Sequence, residues 1–387
     1  MLESSPRPMN TCASSSIFGS SKIVAGIVLT TLVLTGCNSV NAYYDPAKPH
    51  HTPSGFKNNY NASVNKSTGD FLRWQYERTR DGLPKPPQTP TAATTPDLAF
   101  IQTNAKPQAM LPAITWVGHA TMLVQANGLN VLTDPIFSDR VSPVQFAGPK
   151  RAQPPGLSIA QLPPIDVVLV SHNHYDHLDK NTVLALYKQA PGVTLFLVPL
   201  GVKDWFTDLG ITNVKELDWW DSVLVKGVEF NFTPVQHWSA RSFSDRSQTL
   251  WGGWAVLGSD AHWYFSGDTG YSQDFADTQR RFASRQTSAQ GGGFDIALLA
   301  LGAYEPRWFM KEQHINPAEA VQIHKDLGAK RSVGVHWGTF ALTDEPLDQP
   351  PKDLTTARLA TNIKGDDFFL MAIGQTRLIG RRPTTQP

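Results

Sequence analysis

Cysteine is nearly absent from this chain, and neither sign of charge is in surplus. Cys12 and Cys37 are the two cysteines among 387 residues, and Cys12 lies inside the amino-terminal leader described below. The processed chain would retain Cys37 alone, which excludes an internal disulfide and leaves any metal site to histidines and carboxylates. Because 34 lysines and arginines balance 33 aspartates and glutamates, nucleic acid is not expected as the main partner.

The amino terminus has the features of a secreted lipoprotein. The apolar run IVAGIVLTTLVL, residues 23–34, is too short to span a bilayer comfortably but suits a signal-peptide core. It ends in LTGC, which resembles a bacterial lipoprotein cleavage box with Cys37 as the lipidated first residue; an ordinary signal peptide with a chance cysteine is the alternative. Translation can begin at Met1 or Met9. These features predict a lipid-anchored protein of the bacterial cell envelope, and Asn38 favours the outer membrane facing the periplasm.

Composition divides the chain into three parts. Residues 1–36 form the predicted signal peptide, and residues 37–97 are polar and then rich in proline and threonine, which predicts a tether and linker with a short helix over 71–80. Residues 98–380 form the predicted folded domain. With 41% hydrophobic residues overall, the chain has ample material for a buried core.

Strand and helix patterns alternate through the predicted domain. Two alternating apolar runs meet at Asn127-Gly128, a strong hairpin signal. The run IDVVLVS, residues 165–171, is typical of a buried strand, and a later helix is marked by Pro317 in its first turn and Gly328 beyond its end. Two blocks of strands, each followed by helices, indicate two packed sheets with helices outside.

Potential metal ligands crowd the turn that follows this buried strand. His172, His174, Asp176 and His177 place three of the chain's 11 histidines within six residues. Imidazole suits zinc, a carboxylate can complete or bridge a site, and a turn can direct side chains to two neighbouring cations. A solvated polar turn is the alternative, but this concentration of histidine favours a metal centre.

These residues resemble the binuclear motif of the metallo-β-lactamase superfamily. The superfamily's pattern continues with a distant histidine, an aspartate and a final histidine, which match His237, Asp268 and His336. The resemblance implies an α+β fold, the four-layer αββα sandwich called the metallo-β-lactamase fold. It also implies two Zn²⁺ per chain with these ligands: His172, His174 and His237 for the first ion, Asp176, His177 and His336 for the second, and Asp268 between them. Iron or manganese could load similar ligands.

Two residues at other predicted strand ends are assigned to support of these ligands. His119 in GHAT and Asp134 in LTDP lie where this fold brings strand ends near the metals. The alternative for both is that they only stabilise their own turns. Asp179 is expected to cap the helix that begins near residue 180.

Longer blocks, such as SPVQFAGPKR and QHINPAEAVQIH, resemble the N-acylphosphatidylethanolamine-hydrolysing phospholipase D family over roughly residues 98–375. The resemblance implies a homodimeric binuclear-zinc phosphodiesterase that hydrolyses such phospholipids by a metal-bridging hydroxide. Asp268 and His314 would be catalytic, and Gln313, His314 and Tyr304 would contact the substrate. The alternatives are a capping loop at 313–314 and a core position for Tyr304.

Three functions compete at this stage, and the phosphodiesterase just described is the first. A lactonase or another ester or amide hydrolase would use the same fold, and lactonases also use sites made only of histidine and aspartate. A non-catalytic, metal-stabilised envelope lipoprotein is the third, although a structural zinc site is normally closed and mononuclear. The expected partners are a phospholipid substrate and, through the lipid anchor, a membrane.

Overall fold

The computed structural model describes residues 41–61, 64 and 66–382. The predicted signal peptide and Cys37 lie outside these residues. In the part of the chain that the structure describes, no helix is both long enough and apolar enough to cross a membrane.

Regular structure is spread along the whole described chain. The strands, in chain order, are β1 (His51–Thr52), β2 (Gly55–Phe56), β3 (Ala113–Gly118), β4 (Thr121–Ala126), β5 (Leu129–Thr133), β6 (Val167–Leu169), β7 (Leu195–Pro199), β8 (Val214–Leu217), β9 (Ser222–Val225), β10 (Val228–Thr233), β11 (Gly253–Leu257), β12 (His262–Phe265), β13 (Ile296–Ala300), β14 (Ser332–Val335), β15 (Phe368–Phe369) and β16 (Thr376–Leu378). The α-helices are α1 (Thr68–Asp81), α2 (Leu98–Asn104), α3 (Lys180–Gln189), α4 (Lys203–Thr207), α5 (Asp274–Phe282), α6 (Arg307–Met310), α7 (Pro317–Asp326) and α8 (Gln349–Thr361). Short 3-10 helices cover Pro107–Ala109, Ile159–Gln161, Ala283–Arg285 and Ser288–Gln290.

Two mixed sheets of seven strands form the framework. The first sheet has the order β16-β3-β4-β5-β6-β7-β8 and the second has the order β15-β14-β13-β12-β11-β10-β9. Pairing in the first sheet is antiparallel from β16 to β5 and parallel from β5 to β8. The second sheet is parallel from β15 to β12 and antiparallel from β12 to β9. Parallel neighbours end at the same edge of their sheet, so the residues that follow them come close together.

Strand β6 shows how the layers pack. Val167 and Leu169 are buried in the core shared by the two sheets, whereas Val168 and Val170 are buried with residues of α3 and α4 on the outer face of the first sheet. This alternation follows from the two-residue repeat of a strand whose faces are both covered. Helices α5 and α7 cover the second sheet with Phe275 and other apolar residues. The four-layer αββα sandwich expected from the sequence is therefore confirmed.

Local sequence signals behave as predicted where backbone conformation decides the structure. The hairpin between β4 and β5 turns at Asn127 and Gly128, which both have positive φ, 55° and 74°, as a two-residue turn of this twist requires. The carboxylate of Asp179 accepts a hydrogen bond from the backbone of Asn181 and caps α3.

The described part of the interval 37–97 is less extended than a tether and linker. Strands β1 and β2 pair with each other, and His51 contacts Asp218 of the folded core. Helix α1 is longer than the predicted helix because Ser67 and Asp70 form a capping box that starts it at Thr68. Farther on, Ala93 pairs with Ile373 beside the first sheet. The domain boundaries stay predictions, but the described part of this interval packs onto the sandwich.

Candidate metal centre

The turn after β6 is held by contacts on both sides. The backbone N–H of Ser171 and its hydroxyl both donate to Asp134, at 2.7 and 2.5 Å. Across the turn, the guanidinium of Arg241 donates to the carbonyls of Asn173 and Leu178, at 2.8 and 2.9 Å. One arginine thus joins the backbone on either side of His174, Asp176 and His177.

The first group of donors combines both sheets. His172 and His174 lie in this turn, and His237 follows β10 of the second sheet. Nε2 of His172 lies 2.8 Å from Nδ1 of His174, and that atom lies 3.3 Å from Nε2 of His237. Each of the three offers one nitrogen within 4.8 Å of the others. These three imidazoles can therefore share one cation.

A second group lies beside the first. His336 directly follows β14, and its Nε2 lies 3.2 Å from Oδ2 of Asp176. His177 Nε2 lies 3.3 Å from the same oxygen. His119, at the end of β3, also reaches it, with Nε2 at 3.1 Å. Asp176 is therefore surrounded by three imidazoles, two of them predicted ligands of the second ion.

Asp268, which follows β12, stands between the groups. Its Oδ2 lies 3.1 Å from His177 and 3.3 Å from His336, and 4.0 Å from His237 of the first group. Its other oxygen, Oδ1, is buried without a hydrogen-bond partner among the described residues. The carboxylate thus has one oxygen toward both groups and a second one free to bind a cation.

The electrostatics of these residues fit bound transition-metal cations. Burial lowers the pKa of His174 to about 4 and holds the pKa values of His172 and His237 well below the usual value, so these imidazoles are neutral, the form that binds metal. Burial also opposes charge on His177, yet the attraction of Asp268, Asp176 and Asp134 outweighs it and raises the pKa of His177 well above its usual value. A positive charge nearby stabilises the buried carboxylates of Asp134, Asp176 and Asp268, and a divalent cation carries more positive charge than a proton does. The donor set, imidazole and carboxylate without thiolate, suits zinc, iron or manganese.

Asp134 and His119 occupy supporting positions. His177 Nδ1 donates to Asp134 Oδ2 at 2.6 Å, which leaves its Nε2 facing Asp176 and Asp268. His119 contacts Asp176 directly and is held by Thr339, whose hydroxyl accepts from the His119 backbone. Both residues have positive φ, 52° for His119 and 32° for Asp134. Each therefore contacts a predicted ligand in addition to its own turn.

The three residues predicted to contact substrate are placed differently. His314 lies at the edge of the centre, with Nδ1 3.8 Å from Asp268 Oδ2. The carbonyl of Gln313 accepts from His237 Nδ1 at 2.9 Å, its side-chain amide donates to Met310 Sδ at 3.3 Å, and the residue belongs to the lining of the cavity described next. Tyr304 is buried, and its hydroxyl donates to Asp353. It is not among the described residues that line the cavity. This contact leaves the predicted substrate role of Tyr304 without support.

A cavity of about 600 Å³ opens onto the metal centre. Its wall is mostly apolar and comes from α1, from the loops that carry the metal ligands and from the segment before α7. Its lining is Lys66, Ser67, Thr68, Phe71, Trp74, Val141, His174, Tyr175, Asp176, Trp238, Phe243, Arg246, Asp268, Ala303, Phe309, Met310, Gln313, His314, Leu342 and Thr343.

Two contributions to this site were not predicted from the sequence. Arg241 follows His237 by four residues and carries no motif of its own, so its contacts with the turn could not be foreseen. Helix α1 was assigned to the linker, yet Trp74 stacks on Phe309 with ring centroids 4.9 Å apart and forms part of the cavity wall. The three aromatic residues of FLRWQYERTR, residues 71–80, were the one available signal in the sequence.

Removing the Asp134 carboxylate should weaken metal binding more than it weakens the fold. We expect Asp134→Ala to lower zinc affinity about 10- to 100-fold, because His177 loses the acceptor that orients it. Competition with a fluorescent zinc chelator measures this change. Asp208→Ala, at an exposed aspartate of α4's carboxyl end, is the control and should bind zinc like the wild type; equal affinity of Asp134→Ala would contradict the orienting role.

Comparison with known proteins agrees with this fold. The family model described as Beta-lactamase superfamily domain matches residues 129–337. The chain is 41% identical over 275 residues to the N-acyl-phosphatidylethanolamine-hydrolyzing phospholipase D 1 of Caenorhabditis elegans, covering 67% of this chain and 74% of that protein. The mitochondrial enzyme of the same name from Saccharomyces cerevisiae is 39% identical over 246 residues, covering 62% of this chain and 50% of the relative. An uncharacterized protein of Mycobacterium bovis is 42% identical, with 63% of each chain covered.

Solved structures show the same architecture at low sequence identity. An isothiocyanate hydrolase from Delia radicum gut bacteria has a TM-score of 0.54 at 20% identity, covering 68% of this chain and 98% of that one. A possible metal-dependent hydrolase from Veillonella parvula has a TM-score of 0.55 at 17% identity, covering 69% and 99%.

The fold and its donor cluster define the class of protein as a metal-dependent hydrolase. The chain belongs to the metallo-β-lactamase superfamily, and within it resembles the phospholipases D that hydrolyse N-acylphosphatidylethanolamine. The match spans less than two thirds of the mycobacterial and yeast relatives.

Proposed function

We propose that this protein is a binuclear-zinc phosphodiesterase of phospholipase D type that acts on phospholipids similar to N-acylphosphatidylethanolamine. The observation that carries the proposal is the cavity: a mostly apolar space of about 600 Å³ ends at Asp176, Asp268 and His314. Its volume lies in the range of small-molecule sites, and apolar walls with a few polar groups are typical of them. An acyl chain suits such walls, and a phosphodiester suits the charged end.

The residues divide into two sets of ligands. His172, His174 and His237 would hold one cation, and Asp176, His177 and His336 would hold the other, with Asp268 shared between them. When bound, two such cations lower the pKa of a water toward neutrality and stabilise negative charge on a phosphate. Zinc is the proposed metal because the family resemblance implies it and a set of imidazoles and carboxylates accepts it.

Groups beside the ligands would bind and orient the phosphodiester. Burial lowers the pKa of His314 to about 4, so at neutral pH its ring is uncharged and can donate one hydrogen bond or accept a proton. Gln313 lines the same cavity, and its side-chain amide, which now donates to Met310 Sδ, would have to turn toward the substrate to bind it. Lys66 and Arg246 bring two cationic side chains to the wall, where they would attract an anionic headgroup.

A substrate panel tests this function. Metal-replete protein would be incubated with N-acylphosphatidylethanolamine, phosphatidylethanolamine, bis-p-nitrophenyl phosphate, a lactone and nitrocefin, with metal-free protein as the control. We expect phospholipid cleavage that releases the N-acylethanolamine and phosphatidic acid. Turnover of the lactone or nitrocefin alone would instead indicate an ester or amide hydrolase, and metal binding with no turnover of any substrate would indicate a non-catalytic role.

The apolar wall should matter for lipids and not for small phosphodiesters. Phe71 and Leu72 on α1 are both exposed, but Phe71 lines the cavity and Leu72 does not belong to the lining. We expect Phe71→Ala to raise KM for a diacyl phospholipid about fivefold, which corresponds to about 1 kcal/mol of lost apolar contact. KM for bis-p-nitrophenyl phosphate should not change. Leu72→Ala is the matched control, and an equal effect of the two variants on the phospholipid would contradict an acyl-binding wall.

Location and assembly follow the same proposal. A phospholipid substrate fits a protein anchored through Cys37 to the cell envelope, with the outer membrane facing the periplasm as the proposed place. Homodimer formation is proposed from the family resemblance. Both are tested by fractionating cells that express the full chain and by measuring the mass of the purified protein in solution.

A further inference from the structure

The segment just before α1 contacts the metal centre from outside the matched family region. Asn58 follows β2 and is buried, with 6% of its surface exposed. Its side-chain amide donates to the carbonyl of His237 at 3.0 Å, and its side-chain oxygen accepts from the backbone N–H of His237 at 3.0 Å. The indole of Trp251 donates to the same oxygen, also at 3.0 Å. One asparagine thus engages both backbone polar groups of a predicted metal ligand.

This ring of two hydrogen bonds replaces a strand pairing. His237 follows β10 at a point where the sheet has ended, so its buried N–H and C=O are satisfied by Asn58, 179 positions earlier in the chain. Buried backbone groups left unpaired are costly. The imidazole is fixed separately, because Nδ1 contacts the carbonyl of Gln313 and Nε2 faces His174. Backbone and ring are therefore held by different parts of the molecule.

The residues after Asn58 dock the same segment on neighbouring loops. Asn59 donates to the carboxylate of Asp274 at 2.8 Å, Tyr60 donates to Asp277, and Asn61 donates to Glu312. Upstream, Lys48, His50 and His51 all contact the buried carboxylate of Asp218 at the end of β8. Residues 48–61 are thus fastened at both ends, with Asn58 between the two attachments. The side-chain amide of Asn58 is therefore held in place from both sides.

We propose that Asn58 is a positioning residue for the metal centre, acting through the backbone of His237. The proposal rests on the proposed function in one respect, namely that His237 binds a cation together with His172 and His174. His237 is the member of that group that comes from the second sheet, so its distance from the other two depends on how its backbone is placed. A shift of that backbone opens the group without disturbing the turn after β6.

The test compares two adjacent asparagines. Asn58→Ala removes both bonds to His237, whereas Asn59→Ala removes a contact with α5 and touches no predicted ligand. Zinc affinity of each full-length variant is measured by chelator competition, and thermal unfolding is measured with and without zinc. We expect Asn58→Ala to lower zinc affinity at least about tenfold and to lower the Tm of the zinc-loaded protein more than that of the metal-free protein. Asn59→Ala should keep the wild-type affinity.

A purely structural role of Asn58 would lower both Tm values equally and leave zinc affinity unchanged, and this result would overturn the proposal. Asn58→Asp is the second variant in case the alanine variant does not fold; it keeps the acceptor for His237 and Trp251 but loses the donor, and its zinc affinity should lie between those of Asn58→Ala and the wild type. Affinity of a folded Asn58→Asp equal to the wild type would likewise count against the proposal. A wild-type protein that binds no zinc would overturn the proposed metal centre first and this inference with it.

Discussion

Asp268→Asn is expected to lower turnover at least about 1000-fold while the chain stays folded. Asparagine keeps the shape of the side chain but loses the negative charge that both groups of histidines face. Oδ2 of Asp268 lies within 3.3 Å of His177 and His336 and within 4.0 Å of His237, so the substitution acts on both proposed cations at once. An amide also brings N–H donors toward imidazoles that hold metals, which further disfavours binding.

Three measurements check this expectation. Turnover of the best substrate from the panel gives the activity, elemental analysis gives the metal content per chain, and circular dichroism with thermal unfolding gives the state of the fold. Asp366→Asn is a matched control, because the side chain of Asp366 is 90% exposed and pairs with Arg377 away from the ligands. Wild-type activity in Asp268→Asn would remove Asp268 from its proposed place between two cations.

Much of the centre could be predicted from local sequence, because strand ends are marked by composition. The turn with His172 and His174 follows an apolar run whose alternate residues fill two cores, and a buried strand of that kind has to end where polar residues begin. The hairpin at Asn127 and the helix cap at Asp179 could also be predicted from the sequence, since each position favours only a few residue types.

Contacts between residues far apart in the chain could not be predicted from local sequence patterns. His237, Asp268 and His336 were assigned by family resemblance, and the structure now brings them to the turn after β6. Helix α8 (Gln349–Thr361) was not predicted, since two prolines follow its first residue and its few apolar residues give little periodic signal. Contacts such as those of Asn58 with His237 depend on how the sheets pack, and no spacing in the chain encodes that.

The two sheets contribute to the centre unequally, and this has a consequence for its rigidity. The first sheet supplies a turn whose ligands are neighbours and move together, and Arg241 ties its ends. The second sheet supplies His237, Asp268 and His336 from three separate loops. The metal affinity should therefore depend on the position of the second sheet relative to the first. Substitutions near these three loops should lower the metal affinity more than they lower the stability of the fold.

His314→Ala is expected to lower kcat/KM for a phospholipid about 100-fold or more, within the range that one acid–base or positioning group supplies, with the metal content unchanged. His314 lies beside the ligands, since Nδ1 is 3.8 Å from Asp268 and the ring is stacked near His336, with centroids 5.8 Å apart. It also faces the cavity, where a phosphate oxygen or a leaving alkoxide could reach it. We therefore expect this residue to serve the substrate more than the metal.

The matched variant for this residue is His314→Gln, which keeps a hydrogen-bond donor but cannot carry a proton at neutral pH. Recovery of most activity in His314→Gln would show that donation to the substrate is the main role, whereas activity as low as that of His314→Ala would indicate proton transfer. A large loss of zinc in His314→Ala would contradict both, because it would make His314 a metal ligand. His314, Asp268 and His336 also offer ligand atoms within 4.8 Å of one another, so the metal content of His314→Ala separates a ligand from a residue that serves the substrate. We expect a substrate role, because His314 lies 3.8 Å from Asp268 at the edge of the centre and the other proposed ligands already supply donors for two cations.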